Sequence, residues 1–495
     1  MTVRTIFANC GLSLWVDVAA HLRDTYGWEI VYFIGPERIK KYALEKFPDV
    51  VFQTNAEAKN NRIPEACKNI TIPPLDRNLI SKLASDEPVL LKMLDRSDLY
   101  GDFTLQKRFI YCHSQVMYWI GIIEFFKADV IIFRNAPHMA FDYALYAVSK
   151  ILGVKTIMFE KTSFLGRILP VNSYEKGSIA LKEKFESMLK MYEEDNQESV
   201  DTSDEIRKHI ESLGQGYDKA MPFHLKYKLT NFKKGKIGGN LAIFFNIIKD
   251  IIKGLLLKKK DKKFLRKKFY RNIRLYKTKR LAAYYNHIAK DLDLNLPYIF
   301  AALQCEPERQ TVPSGGAFMN QYLMIDLLSK TIPKTWKIYV KEHISQFKSY
   351  QHAYLGRSID FYNYIGSLPN VEFAPLSYTS FDLIDRALAS ATVSGSVGWE
   401  SVVRGKPSLL FGHAWYKDCE GVFCTAERNE LIKAIDAIKN GYIPDRNKVL
   451  IFANALEETS FKGAINPMFE EAGIVTYEKN VINFAECINV FMKSS

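Results

Sequence analysis

The chain has 495 residues, 47% of them hydrophobic and 25% charged. That is too long for one ordinary core, so two or three domains are expected, and the composition is that of a globular protein, not a disordered or fibrous one. The formal net charge of +13 is concentrated in one place. Met221 to Arg280 carries 20 Lys and Arg against Asp250 and Asp261, a local +18, and the other 435 residues together carry −5. An evenly basic surface would suggest nucleic acid, while one local patch suggests a surface contact.

The seven cysteines are odd in number, widely spread and never in a C-x-x-C pattern. They read as reduced thiols with no zinc site. No uninterrupted run of about 18 apolar residues occurs, and Thr2 to Ala8 reads as a strand rather than a signal segment. The expected location is the cytoplasm.

In chain order, Arg4 to Ala8 reads as a buried strand, Trp15 to Tyr26 as a helix and Glu29 to Ile34 as a strand. This opening is that of a doubly wound α/β domain. Helical patterns follow at Pro88 to Asp95 and Leu105 to Lys127, then a strand over Ala128 to Phe133. Arg134 to His138 stand at its carboxyl end. Phe141 to Leu152 is a helix, and Lys155 to Phe159 a strand that ends at Glu160 and Lys161. Open α/β sheets bind ligands at such ends, which makes Arg134, His138, Asp142, Glu160 and Lys161 a candidate acceptor side. Lys182 to Glu194 reads as a helix and Glu198 to Gly214 as an exposed acidic excursion.

The basic segment begins with Leu241 to Leu257. Asn246, Lys249, Asp250 and Lys253 fall on one face of a helix, with Ile, Leu and Phe around the rest. A cationic run follows, with Phe264, Phe269, Tyr270 and Tyr276 interleaved. Two readings stand: an anionic membrane surface held by residues 241–280, or a core-packed helix followed by a solvated linker. No base-reading module is visible, and no nucleic-acid partner is expected.

A second α/β unit starts after Asp293. Its expected strands are Pro297 to Leu303, Trp336 to Lys341, Val371 to Ala374, Thr392-Val393 and Ser408 to Gly412. Its expected helices are Gln321 to Ser329, Phe381 to Ala389, Trp399 to Arg404, Asn429 to Asn440 and Asn447 to Glu458. A final helix, Val481 to Met492, is placed to cross back onto the first unit. The strand ends present Gln304, Glu306 and Glu308; then Lys341, Glu342 and His343; then Ser394 to Glu400; then His413 to Glu420. Ser394, Gly395, Ser396 and Gly398 let backbone approach a ligand, and the helix start after them offers N–H groups to a phosphate. Ser396 also reads as an ordinary helix N-cap.

Two such domains facing a crevice make the GT-B arrangement. The expected division is an acceptor-side domain over 1–220, a basic helical insert over 221–290, a nucleotide-sugar domain over 291–480 and a C-terminal helix over 481–495. In this arrangement His343 or Lys341 neutralises leaving-group charge, and a carboxylate acts on the sugar carbon or the acceptor hydroxyl. Glu400 reaches ribose hydroxyls or pairs with Arg404 one turn on.

Tyr298 to Gln321, Val340-Lys341-Glu342-His343 and Thr392 to Phe411 resemble the capsule polysaccharide biosynthesis family. That family includes the Kdo (3-deoxy-octulosonate) transferases of bacterial capsule and lipopolysaccharide assembly. The resemblance implies a metal-independent GT-B glycosyltransferase that moves a sugar from a nucleotide donor, CMP-linked by preference, to a lipid-linked surface polysaccharide at the inner face of the cytoplasmic membrane. It implies that Ser394, Gly395 and Ser396 bind the donor phosphate together with His343 and that Glu400 binds the ribose; from their places at the strand ends, Gln304, Lys341 and Gly398 are expected to line the donor side. The catalytic carboxylate is Glu306 or Glu308. No metal is expected, and no cofactor beyond the donor, which is itself a substrate. Ile344 follows His343 where the family often has proline. A nucleotide-sugar epimerase of the same fold and a non-catalytic glycan- or membrane-binding component of an export complex are the alternatives.

Overall fold

The computed structural model describes residues 2–98, 102–195, 198–216, 249, 259–347, 353–465 and 474–494. The helix expected over 241–257 lies outside the described residues, Lys249 excepted.

The first sheet holds β1 (Arg4–Ala8), β2 (Glu29–Gly35), β3 (Val51–Thr54), β4 (Val130–Phe133), β5 (Lys155–Lys161) and β6 (Arg167–Val171). From the far end of the chain β13 (Phe461–Lys462) joins it. The order is β13-β6-β5-β4-β1-β2-β3, parallel from β5 to β3 and antiparallel at β6 and β13. The strands read as near-continuous apolar runs because helices cover both faces. Side chains alternate along β1: Ile6 and Ala8 pack in the core that contains the helices Leu105–Phe126 and Ala140–Leu152. Phe7 packs on the opposite face, with the helices Ser13–Tyr26 and Tyr477–Ser494.

The second sheet holds β7 (Tyr298–Ala302), β8 (Lys337–Lys341), β9 (Val371–Phe373), β10 (Ala389–Thr392), β11 (Ser408–Leu410) and β12 (Val422–Cys424). Its order is β12-β11-β10-β7-β8-β9, parallel throughout. Counted along the chain, this is the 3-2-1-4-5-6 order of a doubly wound sheet. Each sheet therefore has a switch point at which the winding reverses, between β1 and β4 in one and between β7 and β10 in the other. The architecture is GT-B, two Rossmann-like domains with a cleft between them.

The chain crosses between the halves twice, so the packing does not follow the expected division at 220 and 480. The helices Ile179–Glu194 and Asp204–Gly214 belong to the core of the second sheet, where Phe185 meets Phe452 at 5.3 Å. Conversely, β13 and the last helix lie in the first domain, where Trp15 packs on Phe484 at 5.0 Å.

Glu198 to Gly214 is not an exposed excursion. Ser203 caps the Asp204–Gly214 helix by accepting from Ile206 N at 3.3 Å, and Ile206, Ile210 and Leu213 are buried. The expected Phe381 to Ala389 helix is short as well, Ser380–Ile384, opened by a Thr379–Asp382 capping box. Ala389 already belongs to β10, because the small side chains of Ala389–Thr392 fit between β7 and β11.

The described end of the basic segment is a helix, Lys259–Ile288. Its last turns are docked: Leu281 and Tyr285 are buried in the second domain, and Tyr285 Oη donates to Ala374 O at 2.7 Å. Among the described residues no helix is long and apolar enough to cross a membrane.

Candidate functional site

The second switch point is built by two interlocked loops. Thr392 closes β10, and its Oγ1 accepts from Gly395 N at 3.0 Å and from Gln304 Nε2 at 3.1 Å. Tyr416 Oη donates to Gly395 O. A Cβ on Gly395 would collide with the Gln304 side chain, and one on Gly398 with the Tyr416 ring and hydroxyl. Glycine is required at both positions by close approach, not by an unusual backbone angle. Gly395→Ala is therefore expected to push Gln304 off Thr392 and to cost about 1–3 kcal/mol, read as a lower urea midpoint.

Ser396 stands at the N-cap position of the Val397–Val403 helix but does not cap it as expected. Its backbone is helical (φ −59, ψ −17) and its side chain caps nothing; instead its Oγ donates to Glu400 Oε1 at 2.7 Å. The Glu400–Arg404 pair does not form. Arg404 turns to Asp385, with Nε to Oδ1 at 2.6 Å. Glu400 is half-buried, and burial raises its carboxyl above the usual range, against the Ser396 bond and the Arg404 charge. Ser394 is half-buried and donates to Gln310 O. Behind the loop, Trp399 anchors the Val397–Val403 helix. It is fully buried, 5.1 Å from Trp415 and 5.6 Å from Phe164. Its Nε1 donates to His209 Nε2 at 3.3 Å. Burial holds His209 down to about 4, so that nitrogen stays an acceptor.

The loop after β7 contains a buried ionic hub that sequence reasoning missed. Arg357 lies with its guanidinium fully enclosed between Glu306 and Glu342. Its Nε donates to Glu342 Oε2 at 2.9 Å, its Nη1 to Glu306 Oε2 and its Nη2 to Gln304 O at 3.0 Å. Glu342 also accepts from Tyr362 Oη and from His343 N, both at 2.8 Å. From the first domain, Lys92 Nζ meets Glu306 Oε1 at 2.6 Å. Both oxygens of Glu306 are thus engaged. Glu308, two residues on, is half-exposed, and its turn is fixed by Thr311, whose Oγ1 donates to Glu308 O at 2.8 Å. At the end of β8, His343 is half-exposed and its Nδ1 accepts from Ser345 N at 3.2 Å, as a neutral imidazole with its proton on Nε2 does. Burial lowers the neighbouring Lys341.

The first switch point faces this loop. Asn9, in the left-handed region at φ 55, donates from Nδ2 to Asp142 Oδ2 at 2.6 Å, and Asp142 Oδ1 accepts from Met139 N at 2.8 Å. Asp142 is 1% exposed, so it builds the loop and is closed to a ligand. Arg96, also missed from sequence, ties the domains by donating to His138 O and, at 2.7 Å, to Val312 O. Arg134, His138, Glu160 and Lys161 are half-buried around it; Glu160 and Lys161 lie within β5, not beyond its end. Among the described residues no group of three or more His, Cys, Asp or Glu is placed to hold a metal ion.

Two groups here titrate in opposite senses. Burial raises Asp142 to about 6 from an ordinary 3.8, so the folded state holds its proton and stability from this group fades as pH rises through 6. Burial and the guanidiniums of Arg96, Arg309 and Arg134 lower His138 to about 3, so the folded state refuses a proton and stability is lost as pH falls below about 6.5. Between pH 4 and 6 the slopes oppose. Asp142→Asn is expected to make stability fall more steeply on acidification and His138→Gln less steeply, as measured by urea unfolding across that range.

No family model matches the chain, and no curated protein matches it in sequence. Solved structures do. The UDP-GlcNAc 2-epimerase of Methanocaldococcus jannaschii is 12% identical over 92% of this chain and 100% of its own, with a TM-score of 0.25. That of Neisseria meningitidis, bound to UDP-GlcNAc, is 12% identical over 93% and 99%, at 0.23. KpsC of Thermosulfurimonas dismutans, a beta Kdo 2,7 transferase, is 10% identical over 77% and 97%, at 0.30. Likeness of this degree carries no argument about substrate or reaction, which rest on the site itself.

Proposed function

We propose that the protein is a glycosyltransferase that moves a sugar from a nucleotide-sugar donor, CMP-linked by preference, to a lipid-linked surface polysaccharide. The observation that carries this is the facing of two switch points across one cleft, tied by Lys92 to Glu306 and by Arg96 to Val312 O. The donor lies along the second domain, its phosphate at Ser394 to Ser396 and its ribose at Glu400. Glu308 serves as base or nucleophile, since Glu306 has no oxygen to spare. His343, carrying its proton on Nε2, is suited to the departing phosphate. The acceptor enters past Arg134, and the basic segment 241–280 holds the protein to an anionic membrane surface.

The test is to incubate the full chain with CMP- and UDP-sugars, with and without a lipid-linked oligosaccharide. Acceptor-dependent transfer is the expected result. Donor conversion without acceptor would make the protein an epimerase, and absence of nucleotide binding across the panel would leave the export-component reading.

A further inference from the structure

The docked end of the Lys259–Ile288 helix has two faces. Thr278, Leu281 and Tyr285, at i, i+3 and i+7, are buried, and the last two pack in the core of the second domain. Tyr276, Arg280, Ala283 and His287, at i, i+4, i+7 and i+11, form the opposite, exposed stripe. Tyr276 is 38% exposed, and Lys290 stands exposed just past the helix end. Between Asp261 and Asp291 the chain has 11 Lys and Arg and no acid. Arg280, His287 and Lys290 make no side-chain hydrogen bond or ion pair with any described residue. A stripe of this kind suits an anionic partner.

A cavity at the end of the stripe selects among anionic partners. It lies between this helix, the helix Ile359–Gly366 and the outer strand β9, with a volume of about 450 Å³, a size suited to a small ligand. Its floor is apolar: Val371, Phe373 and Tyr362 are buried there, and Ile288 is half-buried beside them. Gly366 keeps the floor open, since a Cβ on it would lie 3.3 Å from Phe373 Cε2. His287, Lys290 and the Asn363 amide are the exposed rim. The acid that lines the cavity, Glu372, is met by Lys337 Nζ at 2.8 Å, so the rim keeps a positive balance. A free phosphate has no use for an apolar floor. A nucleobase needs an open ring face, but Tyr362 and Phe373 meet edge to face at 5.8 Å, and Tyr362 also stacks on Tyr284. A phospholipid carries both parts, an anionic phosphodiester and the apolar ester region beneath it.

We propose that this cavity takes the headgroup of an anionic membrane phospholipid, with Lys290 and His287 on the phosphate and the glycerol ester carbons over Ile288, Val371 and Phe373. Arg280 and Tyr276 extend the contact along the helix. This deepens the membrane contact in the reading above and rests on it: it adds a headgroup site to a contact that charge alone would leave unselective.

The test is calorimetric titration of the full chain with dihexanoyl phosphatidylglycerol below its micelle concentration, with glycerol phosphate and with oligouridylate. The short-chain lipid is expected to bind, and glycerol phosphate at least tenfold more weakly. Gly366→Leu fills the cavity without changing charge, and Lys290→Glu reverses an exposed charge that has no partner. Each is expected to weaken the lipid by at least about fivefold. Lys439→Glu, in the helix packed on β12 at the other edge of the sheet, is expected to change it less than twofold. Thermal midpoints separate a lost site from a lost fold, and if Gly366→Leu does not fold, Lys290→Glu against Lys439→Glu decides. No binding of the short-chain lipid, glycerol phosphate as tight as the lipid, unchanged affinity in folded Gly366→Leu, or an equal loss in Lys439→Glu would overturn the proposal. Tighter binding of oligouridylate that the same variants weaken would overturn it in favour of RNA. Sedimentation of the wild type with vesicles of equal parts phosphatidylglycerol and phosphatidylcholine, against phosphatidylcholine alone, reports separately on the membrane contact of the basic segment.

Discussion

Glu308→Gln is expected to lower the rate of sugar transfer by about 100- to 10,000-fold while leaving the thermal midpoint and nucleotide affinity near those of wild type. The substitution keeps size and shape and removes only the proton acceptor and the charge. Glu308 is half-exposed in a turn fixed through its backbone by Thr311. Glu306→Gln, two residues away, is expected to behave differently. It breaks a buried arrangement in which one oxygen meets Lys92 at 2.6 Å and the other meets Arg357. Stability should fall, and the closure of the cleft with it. Measuring kcat, KM and the thermal midpoint for both variants separates the roles. A loss of transfer confined to Glu306→Gln, with its midpoint unchanged, would transfer the catalytic role to Glu306.

Strands β1, β2, β4, β5 and β7 to β11 were readable because most are apolar runs covered on two faces, with polar residues that mark the cleft at their carboxyl ends, whereas the short edge strands β3, β12 and β13 and the antiparallel β6 were not foreseen. What escaped depends on contacts far apart in the chain. Lys92, Glu306 and Arg357 form one hub, yet no local pattern links them. Arg96 clamps a carbonyl in the other domain, which leaves no trace in residue type. The Asp204–Gly214 helix did have a signal: Ile206, Ile210 and Leu213 fall at i, i+4 and i+7. The acids between them masked it, because only one face of that helix is wet. Arg404 could have paired with Glu400 at helical spacing, but Asp385 accepts it in two bonds and leaves Glu400 to Ser396. Spacing shows which pairs can form, and packing chooses among them. That choice leaves Glu400 available at the cleft.

Arg357→Met is expected to cost about 3–5 kcal/mol of unfolding free energy, the range for removing one partner of a buried ion pair. Burial disfavours the guanidinium charge, but Glu342 and Glu306 outweigh burial and hold Arg357 above its ordinary range. Methionine fills much of the space and supplies none of the donors. It leaves the Glu342 side chain with Tyr362 Oη and the His343 N–H, and Glu306 with Lys92 and a long 3.4 Å contact from Gln321 Nε2. Two carboxylates then share a dry site with less positive charge than before. Adding Glu342→Gln should return part of the loss, because it removes one stranded charge; a double variant less destabilised than the sum of the singles, by at least about 1 kcal/mol, is the expected coupling. Urea unfolding of the four proteins measures it, and additive effects would mean that Arg357 does not act through these carboxylates. Arg357→Met also removes one of the two donors to Gln304 O and leaves it with Gln321 Nε2 at 3.0 Å. Gln304 supports Thr392 and thereby the Gly395 loop, so nucleotide affinity should weaken in Arg357→Met under conditions where the protein is still folded. A buried charge with no contact to the ligand would in that way set the shape of the loop that receives the ligand.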